Sequence, residues 1–338
     1  MNTPTQDGFY MPPEWHLHRC CWMGWPCRPQ SWPFELTRAQ ASYAIVAQTI
    51  AQFEPVMMAT VPERVTEAVQ SCPSPIQVVT LPMDDAWLRD MGPTFIVNDQ
   101  KNLAAIDWQF NAWGGSHPDH AQDVAFAQSM LAYTQIRRYV APLILEGGAI
   151  HVDGEGTLLT TEQCLLNPNR NPHLTRRDIE KLLSDYLGVK QIIWLGQGLQ
   201  EDETSGHIDN LACFVRPRVV VALNSQDPQD GNYLALQDNL QRLRQATDAK
   251  GRQLEVIEIE QPAHREDAQG LRLSLSYLNF YIANGGIIMP IFNDPADEAA
   301  IKTLTQLFPE RQVVTVPALD LIHGGGGIHC ITQQQPLP

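Results

Sequence analysis

Four stretches of this chain repeat one arrangement: glycine or small polar residues, an apolar run, a turn, then a second apolar run. They are GGAIHVDGEGTLLTTEQCLLN (147–167), SGHIDNLACFVRPRVVVALN (205–224), YLNFYIANGGIIMPIFN (277–293) and GGGGIHCITQQQP (324–336). Turn signals at Asp153-Gly154, Arg216-Pro217 and Asn284-Gly285 mark the first three as β-hairpins, closed by Asn167, Asn224 and Asn293. A fifth stretch, WLRDMGPTFIVNDQKNLAAIDW (87–108), has strand-like runs on either side of Asn98-Asp99. Between them, Leu36 to Phe53, Asp123 to Tyr133, Thr175 to Leu187, Tyr233 to Thr247 and Ala296 to Leu307 carry apolar residues at helical spacing. Thr175 is a plausible N-cap, with Asp178 and Glu180 in the turn after it, and Gly188 closes that helix. Short β runs follow three of the helices: QIIWL (191–195), LEVIEI (254–259) and QVVTV (312–316). The unit is helix, strand, hairpin, recurring about five times at intervals of roughly 50 to 70 residues. Such a period predicts radial or solenoid repetition rather than two unrelated domains.

Composition narrows the classes open to such an array. The chain has 338 residues, 43% hydrophobic and 18% charged, as in a soluble globular protein. No apolar run approaches the roughly 18 residues of a membrane span, and Met1 to Pro13 has neither the basic start nor the apolar centre of a secretory signal. Seven cysteines at irregular positions (20, 21, 27, 72, 164, 213 and 330) argue against a disulfide framework and for a reducing cytoplasm. A formal net charge of −15 makes nucleic acid a poor partner and small cations natural ones.

Register carries the argument from fold to chemistry. Asp90, Glu146, His207 and Cys330 each stand where a hairpin begins, at intervals of 56, 61 and 123 residues, the last close to two units. In a radial array equivalent positions converge on the axis, so these four side chains are expected to face one central pocket. Cys330 follows four glycines and His329; glycine lets backbone approach a ligand closely, and a thiolate is a nucleophile once activated. Cys72, Cys164 and Cys213 are expected to be buried apolar groups. In a strand, His207 and Asp209 would share a face, and Glu146 could orient the imidazole. Paired carboxylates bind a planar guanidinium through several N–H groups, and Trp87 is placed to stack on it, worth about 0.5–2 kcal/mol. These residues predict a guanidinium cradle with a thiolate aimed at its carbon. His323, His329 and Cys330, or Cys20, Cys21 and Cys27, match no paired C-x-x-C pattern, so no metal or other cofactor is expected.

The motifs DGFYMPPEW (7–15), WMGWPCRP (22–29), DDAWLRDMGPTF (84–95), FNAWGG (110–115), LEGGAIHVDGEGTLLTTEQCLLNPNRNP (145–172), TSGHIDN (204–210), YLNFYIANG (277–285) and GGGGIHCITQQQP (324–336) run in order along nearly the whole chain. With them the sequence resembles the agmatine deiminase / bacterial peptidylarginine deiminase-like family of the guanidino-group-modifying superfamily. The resemblance implies a five-fold pseudo-symmetric α/β propeller, the pentein fold, here expected as one catalytic domain over 1–338. It implies Cys330 as nucleophile, His207 as general acid/base, Asp90 and Asp209 as guanidinium ligands and Glu146 as partner of His207. Trp87, Trp113 and Gly327 are added as expected substrate contacts. The implied reaction hydrolyses agmatine to N-carbamoylputrescine and ammonia, a step toward putrescine and the polyamines. The expected partners are a small cationic guanidino substrate and a second copy in a homodimer, with neither nucleic acid nor membrane.

Three places depart from the family pattern: QSWPF after WMGWPCRP, SHPDHAQD after FNAWGG, and Gly327 in place of the usual Asn. They bear on the far end of the substrate. Arginine, peptidyl-arginine or dimethylarginine as substrate, amidino transfer, and a non-catalytic polyamine or guanidine sensor are the alternatives. Free arginine would need a basic receptor for its carboxylate, for which Arg28, Arg170 and Arg272 are the candidates.

Overall fold

A hairpin needs only a tight turn, whereas parallel neighbours need a long crossover. The hairpin-then-helix pattern therefore reads as an antiparallel pair followed by a parallel third strand. The computed structural model describes residues 2–338, and five sheets follow this plan. The first joins Thr94–Asn98, Leu103–Gln109 and Arg137–Ile144, with Phe9–Tyr10 added at its edge. The second joins His151–Val152, Thr157–Thr161 and Gln191–Leu195; the third Ala212–Arg216, Val219–Asn224 and Glu255–Glu260; the fourth Tyr281–Ala283, Gly286–Ile291 and Gln312–Pro317. The crossovers carry the helices expected from sequence, among them Arg176–Leu187, Tyr233–Gln245 and Asp297–Leu307.

The fifth sheet corrects one expectation. GGGGIHCITQQQP is not a complete hairpin: its strand Thr332–Pro336 pairs antiparallel with His18–Gly24, Thr332 opposite Met23. His18–Gly24 then pairs parallel with Val56–Thr60 after the helix Leu36–Ile50. The two ends of the chain thus share one module and close the ring of five. A pairing across some three hundred residues leaves no local turn signal, which is why the sequence pattern missed it.

Local chemistry explains the helices. In Arg176–Leu187, Thr175 accepts from the Asp178 amide and Asp178 accepts in return from the Thr175 amide, a reciprocal cap worth about 1 kcal/mol. Gly188, at φ +75°, ends it in the left-handed conformation that glycine adopts without strain. Ile179, Leu183 and Leu187 form its buried stripe; truncating Leu183 to Ala would cost about 2–5 kcal/mol. Apolar packing of this kind fixes the modules rigidly, and so fixes the inner ends where the chemistry sits.

Candidate active site

Each module opens with a chemically active side chain just before its first strand. Asp90 precedes Thr94, Glu146 precedes His151, His207 and Asp209 precede Ala212, and Cys330 precedes Thr332. The long interval between His207 and Cys330 divides at Asn279, 72 and 51 residues from them and just ahead of Tyr281. Asn279 is the fifth such residue. Sequence reasoning passed over it because an amide neither titrates nor attacks, although the double interval pointed to its position.

The approach to each strand is a tight turn rather than extended chain, which corrects the expectation that His207 and Asp209 share a strand face. Asp90 lies in the one-turn helix Leu88–Met91 and Asp209 in the 3-10 turn Ile208–Asn210. His207 and Asp209 still converge, but through that turn and not through strand alternation. Nor does Arg89 pair with Asp90; it faces Glu14, with Nη1 3.6 Å from Oε1. Gly148 lets the groups meet: a Cβ there would lie 2.6 Å from His207 Nδ1 and 2.9 Å from both Asp90 Oδ1 and Asp209 Oδ2.

Around the sulfur of Cys330, Asn279 Nδ2 donates at 3.2 Å and Asp209 Oδ2 lies at 3.6 Å. Asn279 Oδ1 accepts from the His329 amide at 2.9 Å, so one side chain touches the thiol and pins the backbone beside it. Asp90 accepts from Trp113 Nε1 at 2.8 Å and from the Gly148 amide at 2.9 Å. Trp113 adopts left-handed dihedrals (φ 54°, ψ 43°), a strained state that persists where surrounding contacts enforce it. His207 is wholly buried, with Nδ1 3.8 Å from Asp90 Oδ1 and Nε2 3.9 Å from Glu146 Oε2. Neither ring nitrogen has a close nitrogen or oxygen hydrogen-bond partner among the described residues. Arg170 Nε donates to Glu146 Oε1 at 2.6 Å and Nη2 to the Thr204 carbonyl at 3.0 Å, fixing the carboxylate behind the imidazole. Cys164 completes this wall, one atom each from Glu146, Cys164 and His207 lying within 4.8 Å of one another.

Burial and neighbouring charge set the protonation states. Burial, then Asp209 and Asp90, push the Cys330 thiol well above its usual value, against the smaller pull of the Gly327 backbone and the Asn279 amide. Burial also opposes charge on His207, but Asp90 leads the groups that outweigh it, so its value is raised and the ring is an imidazolium at neutral pH. Asp90 is raised, mainly by burial. Asp209 is lowered: burial opposes this, and the hydrogen bond from His329 overcomes it.

A cleft of about 370 Å³ leads to the sulfur, lined by Trp87, Asp90, Trp113, Glu203, Thr204 and Cys330. Trp87 stacks on Trp32 with centroids 5.8 Å apart, and a Cβ on Gly324 would lie 2.2 Å from the Trp32 ring. Ser116 and His117 also line the cleft, so both divergent loops serve it: QSWPF through Trp32, SHPDHAQD through Ser116 and His117. Gly327 does not line it. That residue packs on Asn279, where a Cβ would meet Oδ1 at 2.4 Å, and faces a neighbouring hollow of about 810 Å³. Glu203 went unnoticed in the sequence because it sits in an irregular loop with no register to mark it. Burial raises its carboxyl, with His117 opposing. Arg28 donates to the Pro118 and Asp119 carbonyls, Arg170 is paired with Glu146 and Arg272 with Asp230.

The ring of five ββαβ modules with reactive groups at their inner ends is the architecture of the pentein α/β propellers. A dimethylarginine dimethylaminohydrolase, at 13% identity and TM-score 0.52 over 94% of this chain and 100% of its own, shares the fold alone. The family model of the Porphyromonas-type peptidyl-arginine deiminases matches residues 10–336, and the chain belongs to that family. It is 48% identical to an agmatine deiminase of Stutzerimonas stutzeri (strain A1501), over 100% of this chain and 98% of the relative. The solved agmatine deiminase of Enterococcus faecalis superposes with TM-score 0.96 at 38% identity, covering 100% of this chain and 98% of that one. A substrate-bound agmatine deiminase of C. jejuni superposes with TM-score 0.89 at 28% identity, over 97% and 96% of the two chains. No helix among the described residues is long and apolar enough to cross a membrane.

Proposed function

We propose that the protein is an agmatine deiminase acting through one catalytic domain that spans the chain. One observation carries the substrate assignment. The cleft offers carboxylates at both ends, Asp90 beside the thiol and Glu203 at the mouth, and no Lys or Arg among its described lining residues. A guanidinium at one end and an ammonium at the other suit that arrangement. Arginine's α-carboxylate would stand beside Glu203, and the three arginines considered for it are engaged elsewhere. Two carboxylates set side by side repel, and each 1.4 kcal/mol of lost binding is about tenfold in specificity.

The chemistry follows from the protonation states. In the free enzyme the Cys330 thiol keeps its proton. A guanidinium held by Asp90 and Asp209 places a cation beside the sulfur, lowers the thiol's pKa and lets the proton leave to solvent. The thiolate bonds to the guanidinium carbon, giving a neutral tetrahedral adduct. Imidazolium His207 protonates one amino group, the C–N bond breaks, and ammonia leaves an S-alkylthiouronium. Now neutral, His207 takes a proton from water as the oxygen adds to carbon. Collapse expels the thiolate and releases N-carbamoylputrescine; the proton lost on collapse ends on ammonia as ammonium. Glu146, anchored by Arg170, steadies both forms of His207.

A panel of agmatine, arginine, peptidyl-arginine and dimethylarginine, read by ammonia release, tests this reading. Agmatine should exceed arginine by at least about a hundredfold in kcat/KM. Comparable rates, or turnover of peptidyl-arginine alone, would overturn the substrate; no ammonia from any of them would overturn the activity.

A further inference from the structure

The N-terminal stretch DGFYMPPEW takes no part in the mechanism above, yet it sends Glu14 into the protein interior beside the site. His329 stands between Glu14 and the substrate cradle. Its Nδ1 is 2.9 Å from Asp209 Oδ2 and its Nε2 is 2.9 Å from Glu14 Oε1. A neutral imidazole has one N–H, so one of these contacts would set a lone pair against a carboxylate oxygen; only the imidazolium donates to both. The ring is enclosed and its backbone is pinned: the His329 amide donates to Asn279 Oδ1 and its carbonyl accepts from Arg89 Nε at 3.3 Å. With Oδ2 engaged, Asp209 keeps Oδ1 buried and without a partner among the described residues.

We infer that Glu14 and His329 form a buried positioning relay that holds Asp209 ionised, with its free Oδ1 presented to the substrate guanidinium. The inference rests on the reading of Asp209 as a guanidinium ligand. The other charged or titratable groups facing Asp209 are the Cys330 thiol at 3.6 Å and, through space, His207, Asp90, Arg89 and Cys213. Glu14 faces His329, Arg89 at 3.6 Å and His151 at 3.7 Å. The titration directions agree with the geometry. Burial opposes charge on each member, yet Glu14 is lowered well below the carboxylate range, chiefly by His329 and Arg89, while His329 is raised against both burial and Arg89. A bare carboxylate in that position would take up a proton more readily and lose its grip on the substrate.

Two substitutions separate charge, contact and bulk. In His329→Asn the amide can stand where Nδ1 stood and still donate to Asp209; in His329→Gln it reaches the place of Nε2 and Glu14 instead. Agmatine kcat/KM is expected to fall about tenfold in the first and about a hundredfold in the second, mainly through KM. Both lose the cation that depresses Asp209, so its pKa rises, and the Asp209 carboxyl followed by carbon-13 NMR should titrate about one pH unit higher. Equal losses with an unmoved Asp209 titration would overturn the relay, because a merely structural role predicts that result. Nitrogen-15 NMR of the wild-type histidines gives an answer that does not depend on turnover or on the variants folding. His329 should show two protonated ring nitrogens at about pH 8, well above its ordinary value near 6.5; a neutral ring would overturn the proposal. If wild type releases no ammonia from any guanidine, the functional reading fails while the NMR still judges the relay.

Discussion

The floor and the mouth of the cleft are built differently. At the floor, Asp90, Glu146, His207, Asn279 and Cys330 come from five equivalent positions, each at the inner end of a sheet. At the mouth, Glu203, Ser116 and His117 come from loops that share no register, with Trp32 backing Trp87 from a third. Packed sheets hold the floor to the short distances that proton transfer and nucleophilic attack need. Loops carry few packing constraints and can vary without disturbing that geometry. The difference assigns reaction type to the repeat and substrate choice to the interruptions.

Removing the nucleophile tests the floor most severely. Cys330→Ala should lower kcat by at least about 10⁴-fold while agmatine still binds. Mass spectrometry of quenched wild-type enzyme should find the substrate-derived adduct on the Cys330 peptide and on no other. Substantial turnover by Cys330→Ala would remove the floor's claim to the chemistry.

Asn279 asks whether the fifth position belongs with the other four. Asn279→Ala deletes the donor to sulfur, a bond to a charged group worth about 1.5–3 kcal/mol, so kcat/KM should fall about ten- to a hundredfold. Because that donor favours the thiolate, the Cys330 pKa should rise further in the variant. Thiolate absorbance near 240 nm across pH, referenced to Cys330→Ala, would show it, and an unmoved titration would return Asn279 to a packing role.

The mouth should respond in a different parameter. Glu203→Gln is expected to raise KM for agmatine about tenfold, leave kcat within about threefold, and narrow the margin over arginine. A collapse of kcat with KM unchanged would instead place Glu203 in the chemistry and erase the division between regions. The coupling of the two ends is tested by the same absorbance in wild type. Without ligand, the Cys330 thiol should titrate above the ordinary value near 8.5, and guanidinium ion at low concentration should move it downward. EDTA should have the smallest effect of all, leaving the rate unchanged, because the proposed nucleophile and proton carrier, Cys330 and His207, are both side chains.

Much of the floor was legible in advance because its signals are local. Turns such as Asp153-Gly154 and Asn284-Gly285 fold by short-range geometry, and the cap on Arg176–Leu187 needs only Thr175, Asp178 and Gly188. Equal spacing of hairpins then implied that Asp90, Glu146, His207 and Cys330 meet. What failed was the inference that treated the approach as straight chain: the 3-10 turn at Asp209 displaced the strand alternation expected there. Gly327, expected to contact substrate, packs on Asn279 and is not among the residues lining the cleft to the sulfur.

By itself, then, the amino-acid sequence determined the module, its repetition and the residue types at its inner ends, since hydrophobic period and turn chemistry act over a few residues. Tertiary structure decided the rest. Closure of the ring through Thr332 and Met23, Glu203 at the cleft mouth, and Glu14 and Asp209 on opposite sides of His329 each join residues far apart in the chain. The protonation of His207, His329 and Cys330 follows from those placements, because desolvation and charge act through distance in space and not along the sequence.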